Sequence, residues 1–156
     1  MELSQFTDYA LRALIRAAVC APGERTSARE IADVYGISRN HVVKVVHKLS
    51  KLGYLDTLRG RGGGVALAMP AAEIGVGEVV RKTENLALVE CFEAGGGACC
   101  ISPACRLKGA LAEARRAFLG VLDSYSIDDL ARPRDPLRAL LGLGSESRSP
   151  ALPTPI

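Results

Sequence analysis

The sequence predicts a mainly α-helical fold with a small β-hairpin wing: a winged helix-turn-helix followed by a long C-terminal dimerisation helix. Three observations predict it. Two short helices, the second of them basic, meet at a glycine turn near Gly36. An arginine–glycine hairpin follows, around Arg59-Gly60-Arg61-Gly62-Gly63-Gly64. Beyond it, apolar residues repeat at alternating three- and four-residue spacing from Ala104 to Tyr125.

Phe6 to Ala21 reads as a near-continuous apolar helix, interrupted by Asp8, Arg12 and Arg16 and ended by Pro22-Gly23. Ser27 caps the second helix, SAREIADVYG, with Glu30 completing a capping box and Gly36 as the stop. Ser38 opens the third helix, which ends at Gly53. Its apolar stripe is Val42, Val45, Val46, Leu49 and Leu52, a helical repeat that turns inward. Tyr54–Leu58 and Val65–Ala68 are short strands flanking the glycine-rich tip, and Pro70 closes the unit. A helix from about Val76 to Glu84 leads to a cysteine loop around Gly95-Gly96-Gly97. Cys105 to Tyr125 is the long helix. Its seam is Ala104, Leu107, Leu111, Ala114, Phe118, Val121 and Tyr125. That is a period of about 3.5, as in a coiled coil, but too short to dimerise unaided. Ser126-Ile127-Asp128-Asp129 starts one more turn, and the prolines from Pro133 onward read as a disordered tail. Three regions follow: residues 1–70 as the DNA-binding domain, 71–131 as sensor loop and dimerisation helix, and 132–156 as tail.

The chain has 156 residues, of which 48% are hydrophobic, enough for one domain with a real core. Net charge is only +3, but it is unevenly placed. Residues 1–69 hold ten Lys/Arg against six Asp/Glu, whereas residues 70–131 hold six against nine. Tryptophan is absent and aromatics are 4%, which argues against a stacking surface for single-stranded nucleic acid. No apolar run approaches the roughly 18–20 residues that span a bilayer. The N-terminus lacks the basic and apolar regions of a secretory signal. A cytoplasmic protein with no membrane partner is the expectation.

Between Ser38 and Arg61 there are six basic residues and one acid, Asp56, the electrostatic footprint of a duplex binder. A recognition helix presents its N-terminal side chains to base edges in the major groove. Here these are Ser38, Arg39, Asn40 and His41, with Lys44 one turn on. Arg39 suits a bidentate contact to guanine and Asn40 one to adenine. Lys48 lies further along, where phosphate is the partner. Arg59 and Arg61 at the hairpin tip suit a minor groove. His41 and His47, six apart on one helix, diverge and cannot chelate one metal.

Cys91, Cys99, Cys100 and Cys105 cluster in one segment. In a reducing cytosol, grouped thiols point to a metal or redox site rather than to disulfides. The paired knuckles of a closed zinc site are missing. A glycine-rich loop between thiols suits an iron–sulfur core, for which thiolates are the usual ligands. Structural zinc and unrelated thiols remain the alternatives. Neighbouring side chains diverge, so Cys99 is preferred to Cys100 as a ligand. Cys20 sits in the first helix as a core residue. No Ser/His/Asp constellation, nucleotide loop or C-x-x-C pair is present, so no enzyme is expected.

Three motifs together resemble the NsrR-type nitric-oxide-sensing repressors, winged-helix iron–sulfur regulators whose superfamily also includes IscR. They are Phe6-Thr7-Asp8-Tyr9-Ala10-Leu11-Arg12, the Arg59–Gly64 wing, and Glu90-Cys91-Phe92 with Cys99-x-Ile101-x-x-x-Cys105-Arg106-Leu107-Lys108. The resemblance covers about residues 1–130 and implies a homodimeric repressor of double-stranded operator DNA. It implies one [4Fe–4S] cluster per subunit held by Cys91, Cys99 and Cys105, with Asp8 from the partner subunit as fourth ligand. It further implies that cluster nitrosylation releases the operator and derepresses nitric-oxide detoxification genes. The IscR-like site places a histidine where this chain has Lys108, which counts against it. A [2Fe–2S] regulator of cluster supply or redox state is the alternative.

Overall fold

The computed structural model describes residues 2–58, 60, 63–92 and 99–143. Seven helices are found among them: α1 (Gln5–Ala18), α2 (Ala28–Tyr35), α3 (Arg39–Lys51), α4 (Val76–Thr83), α5 (Arg106–Asp123), α6 (Ile127–Leu130) and α7 (Arg134–Leu140). Two antiparallel strands, β1 (Leu55–Leu58) and β2 (Gly64–Leu67), pair in the register Leu55 with Leu67 and Leu58 with Gly64. The mainly helical architecture with a single hairpin is the one expected.

Helix α1 begins where Ser4 Oγ accepts from Thr7 N–H at 3.3 Å. Its small residues Ala10, Ala13, Ala17 and Ala18 are buried, as is Leu14 between them. That lets α1 pack against α3, α4, α6 and β2 at once. The stripe expected on α3 is the one found: Val42, Val45, Val46 and Leu49 are buried, and Leu52 packs at its edge. Ser27 caps α2 as expected. Glu30, however, does not close the box onto Ser27; its carboxylate accepts from Thr26 Oγ1 at 3.3 Å. Gly36 ends α2 in the left-handed region (φ 63°), which favours glycine.

The hairpin is moored to the helices. Thr26 N–H donates to Val65 O at 2.9 Å, and Val65 N–H donates back to Thr26 O. Gly64 has φ 150°, and a Cβ there would stand 2.6 Å from Thr26 O, so this crossing needs glycine. On the other side of α1, a Cβ on Gly77 would collide with the Asp123 carboxylate. Glycine therefore lets α4 lie against the end of α5, where Arg81 grips Asp123 through both guanidinium nitrogens.

Two helix ends differ from expectation. Helix α1 stops at Ala18 instead of Ala21, and Cys20 is half-buried at its end rather than in the core. Burial pushes the Cys20 thiol pKa up. The expected tail from Arg132 is corrected over its first part: α7 forms at Arg134–Leu140 and Leu141 is buried. Pro133 is the cap of this helix and Pro136 lies in its first turn, where a missing N–H costs nothing. Arg134 donates to Ala18 O at 2.6 Å and Arg138 donates to Val19 O. These carbonyls at the end of α1 would otherwise lack partners. The rest of the expected tail, 144–156, lies outside the described residues.

Leu49 is fully buried and Leu140 is 79% exposed. Leu49→Ala should therefore cost about 2–5 kcal/mol, and Leu140→Ala less than about 0.5 kcal/mol, in urea unfolding of the intact chain. Equal losses would contradict this packing.

Candidate nucleic-acid interface and thiol site

The reading face is built by the burial of the opposite one. With Val42, Val45 and Leu49 turned inward, Ser38, Arg39, Asn40, His41, Lys44, Lys48 and Lys51 are all exposed. Ser38 is the N-cap of α3, but its hydroxyl makes no capping bond and is left for an outside partner. Among the described residues, Arg39, Lys44, Lys48 and Lys51 form no ion pair. A cluster of unneutralised cations on one helix attracts polyanions. His41 lies against Tyr9 of α1, ring centroids 6.2 Å apart. Arg59 and Arg61 lie outside the described residues. Asp56 of β1 is neutralised by Arg25 at 2.9 Å.

The cysteines are brought together from three places. Cys91 lies in a single turn, Glu90–Phe92, after a strap that leaves α4. Cys99 lies beyond the glycine loop, whose residues 93–98 are outside those described. Cys105 is the N-cap of α5, and Lys108 N–H donates to its Sγ at 3.4 Å. All three line one cavity of about 230 Å³. Its apolar wall is Val89, Ile101, Leu107 and Leu111, and Glu90 and Lys108 also line it. Cys100, exposed, is not among the lining residues. No group of three His, Cys, Asp or Glu side chains among the described residues is placed to hold a single metal ion.

Asp8 is not in this cavity. It lies on α1, where Arg12 of the next turn holds both carboxylate oxygens at 2.9 Å. Both side chains are 42% exposed, so water screens the pair and it contributes little, about 0–1 kcal/mol. Reading the sequence missed Arg115. Its Nη1 donates to Leu86 O at 3.3 Å, and its guanidinium lies 4.8 Å from the Phe92 ring centroid. Lys108, Leu111 and Arg115 share one face of α5 by their i, i+3, i+7 spacing, and that spacing was the available signal.

Helix α5 presents two faces. Leu119 and Leu122 turn towards the core, while Leu107 (64%), Val121 (61%) and Tyr125 (47%) of the expected seam are exposed. None of the described helices is long and apolar enough to cross a membrane.

Comparison with known proteins agrees with this architecture. The family model Rrf2, described as "Iron-dependent Transcriptional regulator", matches residues 3–133. The chain is 49% identical over 142 residues to the HTH-type transcriptional regulator NsrR of Bacillus subtilis, covering 90% of this chain and 97% of that protein. It is 50% identical over 142 residues to the regulator of the same name from Geobacillus kaustophilus, again covering 90% and 97%. Among solved structures, CymR, the global cysteine regulator of B. subtilis, superposes with a TM-score of 0.68 at 27% identity over 84% of this chain and 96% of that one. IscR of T. potens superposes with a TM-score of 0.69 at 21% identity over 88% of this chain and 91% of that one, a likeness of fold. These relatives are regulators rather than enzymes, and the chain belongs to the Rrf2 family of transcriptional regulators, of the NsrR type.

Proposed function

We propose that the chain is a homodimeric repressor that binds double-stranded operator DNA and carries one [4Fe–4S] cluster per subunit as a nitric-oxide sensor. The observation that carries this reading is the gathering of Cys91, Cys99 and Cys105 on one apolar cavity that Cys100 does not line. The donor set fits such a cluster. Thiolates are its usual ligands, and the cavity wall beside them is largely apolar. The N-terminus of α5 offers N–H donors to an anionic core, as the Lys108 to Cys105 contact illustrates. Three thiols leave one position for another ligand, assigned by resemblance to Asp8 of the partner subunit. The weak, exposed pairing with Arg12 leaves that carboxylate available at small cost.

The exposed seam of Leu107, Val121 and Tyr125 supports association of two copies through α5. Two reading helices then meet successive major grooves, with half-sites about 10–11 base pairs apart. Arg39 and Asn40 read bases, with Lys44 one turn on; Lys48 meets phosphate; Arg59 and Arg61 reach for the minor groove. When bound, the cluster supplies iron that reacts with nitric oxide. Cys91, Cys99 and Cys105 would hold the cluster and so tie the strap, the loop and the start of α5 together, and Asp8 of the partner subunit would tie the facing α1 to the same site. Release of these ties frees α1, which packs against α3. A coupling of a few kcal/mol suffices to abolish repression.

Iron and acid-labile sulfide measured on protein purified without oxygen should each be about four per chain. About two of each would replace the reading by the [2Fe–2S] one, and zinc without sulfide would end the sensor reading. Cys91→Ala, Cys99→Ala and Cys105→Ala should each lose the cluster, and Cys20→Ala should keep it. A fully loaded Cys105→Ala protein would refute the ligand assignment.

Asp8→Ala should retain a cluster but lose the link between nitric oxide and operator release, read by gel shift with titrated nitric oxide. Wild-type sensitivity in that variant would remove Asp8 from the site.

Arg39→Ala should relax base preference at its contact, costing about 1–3 kcal/mol on the preferred operator. Lys48→Ala should weaken all sequences alike and flatten the salt dependence by about one unit. Fluorescence anisotropy on matched and scrambled duplexes separates the two, and identical profiles would contradict the assignment.

A further inference from the structure

We propose that Arg115 is a positioning residue for the cysteine site, clasping the strap that carries Cys91 onto α5. The inference rests on reading Cys91 as a cluster ligand. The strap, Asn85–Phe92, meets α5 through the cavity that Val89 and Cys91 line with Leu107 and Leu111, and Arg115 adds a polar hold. It lines a polar cleft of about 620 Å³ together with Arg81 and Arg115, and none of its residues is fully buried. Its start is shaped locally: Ala87 N–H donates to Asn85 Oδ1 at 3.0 Å. Its end is a single turn in which Phe92 N–H donates to Val89 O at 2.9 Å. Neither bond reaches α5, and the cavity lining gives only apolar contact with it.

Arg115 supplies the polar contact. One guanidinium reaches both parts of the strap, donating to Leu86 O at 3.3 Å and covering the Phe92 ring at 4.8 Å. Phe92 is the next residue after Cys91, so fixing its ring fixes the backbone that aims the thiol. Arg115 forms no ion pair among the described residues, so its charge is committed to the ring and the carbonyl. It stands one turn beyond Leu111 on the face of α5 that lines the thiol cavity. Cys105, at the head of the same helix, is thereby set in register with Cys91. Outer residues of this kind commonly alter metal retention by about 10–100-fold.

The test uses the full-length protein in metal-free and loaded forms. In metal-free Arg115→Met, amides of residues 86–92 should exchange with deuterium about tenfold faster, with α1–α3 unchanged. In the loaded protein, cluster loss to an iron chelator, followed by visible absorption, should be about tenfold faster. Arg115→Lys keeps a cation for the ring and should recover part of both effects. Phe92→Leu, which leaves Arg115 in place, should reproduce part of the loss and guards against misfolding of the first variant. Wild-type exchange in residues 86–92, or unchanged cluster loss despite faster exchange, would overturn the proposal. If wild-type protein takes up no cluster, the proposed function fails, while exchange in the metal-free protein still decides whether the clasp exists.

Discussion

Helix α1 is the wall that the two halves of the molecule share, and its burial is the constraint on which the rest depends. A helix surrounded on several sides needs small residues for close approach, which Ala10, Ala13, Ala17 and Ala18 provide. It also needs partners for the polar groups at both ends, because burial removes water as the alternative. At the N-terminal end Ser4 caps the helix and is itself held by Glu84, which accepts from Ser4 N–H and Oγ at 2.8 Å. Burial opposes the Glu84 carboxylate, but donors from Ser4 and the Asn85 N–H outweigh it and hold its pKa below the ordinary value. At the other end Arg134 and Arg138 reach back from α7 to the carbonyls of Ala18 and Val19. Both ends of α1 are thus finished by segments more than half the chain away.

This arrangement joins the thiol site to the reading face within one subunit. Glu84, the anchor of Ser4, immediately precedes the strap that carries Cys91. Thr7, fully buried one turn into α1, donates to Thr83 at the end of α4 at 3.1 Å. The same helix then lays Tyr9 against His41 of α3. Two of the three cavity thiols are also placed by devices independent of any ligand. Cys105 is fixed as the cap of α5, and Cys91 by the turn and clasp around Phe92. Groups held in advance lose less freedom when they bind, which favours retention of a ligand by so exposed a site.

Much of this was legible in the sequence, for local reasons. The caps Ser27 and Gly36, the stripe from Val42 to Leu49 and the hairpin each depend on neighbours within a few residues, where spacing is informative. The placement of Arg39, Lys44 and Lys48 on one exposed face followed from the same stripe. What could not be read locally was long-range. Proline at the cap and in the first turn of α7 looks the same in sequence as proline in a disordered tail. Only the carbonyls of Ala18 and Val19, far back in the chain, give Arg134 and Arg138 a reason to order it. Likewise no spacing distinguishes Cys99 from Cys100; the cavity does, by including one and not the other.

The packing between α1 and α3 is uneven, tight along one stripe and open at its edge. Along the stripe of α3, Val42, Val45 and Leu49 are at most 1% exposed, and displacing them would open voids costing several kcal/mol. At one edge of that stripe a partly open cavity of about 280 Å³ lies between Gln5, Phe6 and Tyr9 of α1 and His41, Lys44 and Val45 of α3. A gap already present forfeits its contacts before any movement occurs, so movement there sacrifices little more. A shift of α1 is therefore accommodated more cheaply at this edge, beside His41 and Lys44, than along the stripe. Arg39 and Asn40 immediately precede His41 in α3, and in the proposed reading an error of an ångström in their placement would be enough to break bidentate contact with a base.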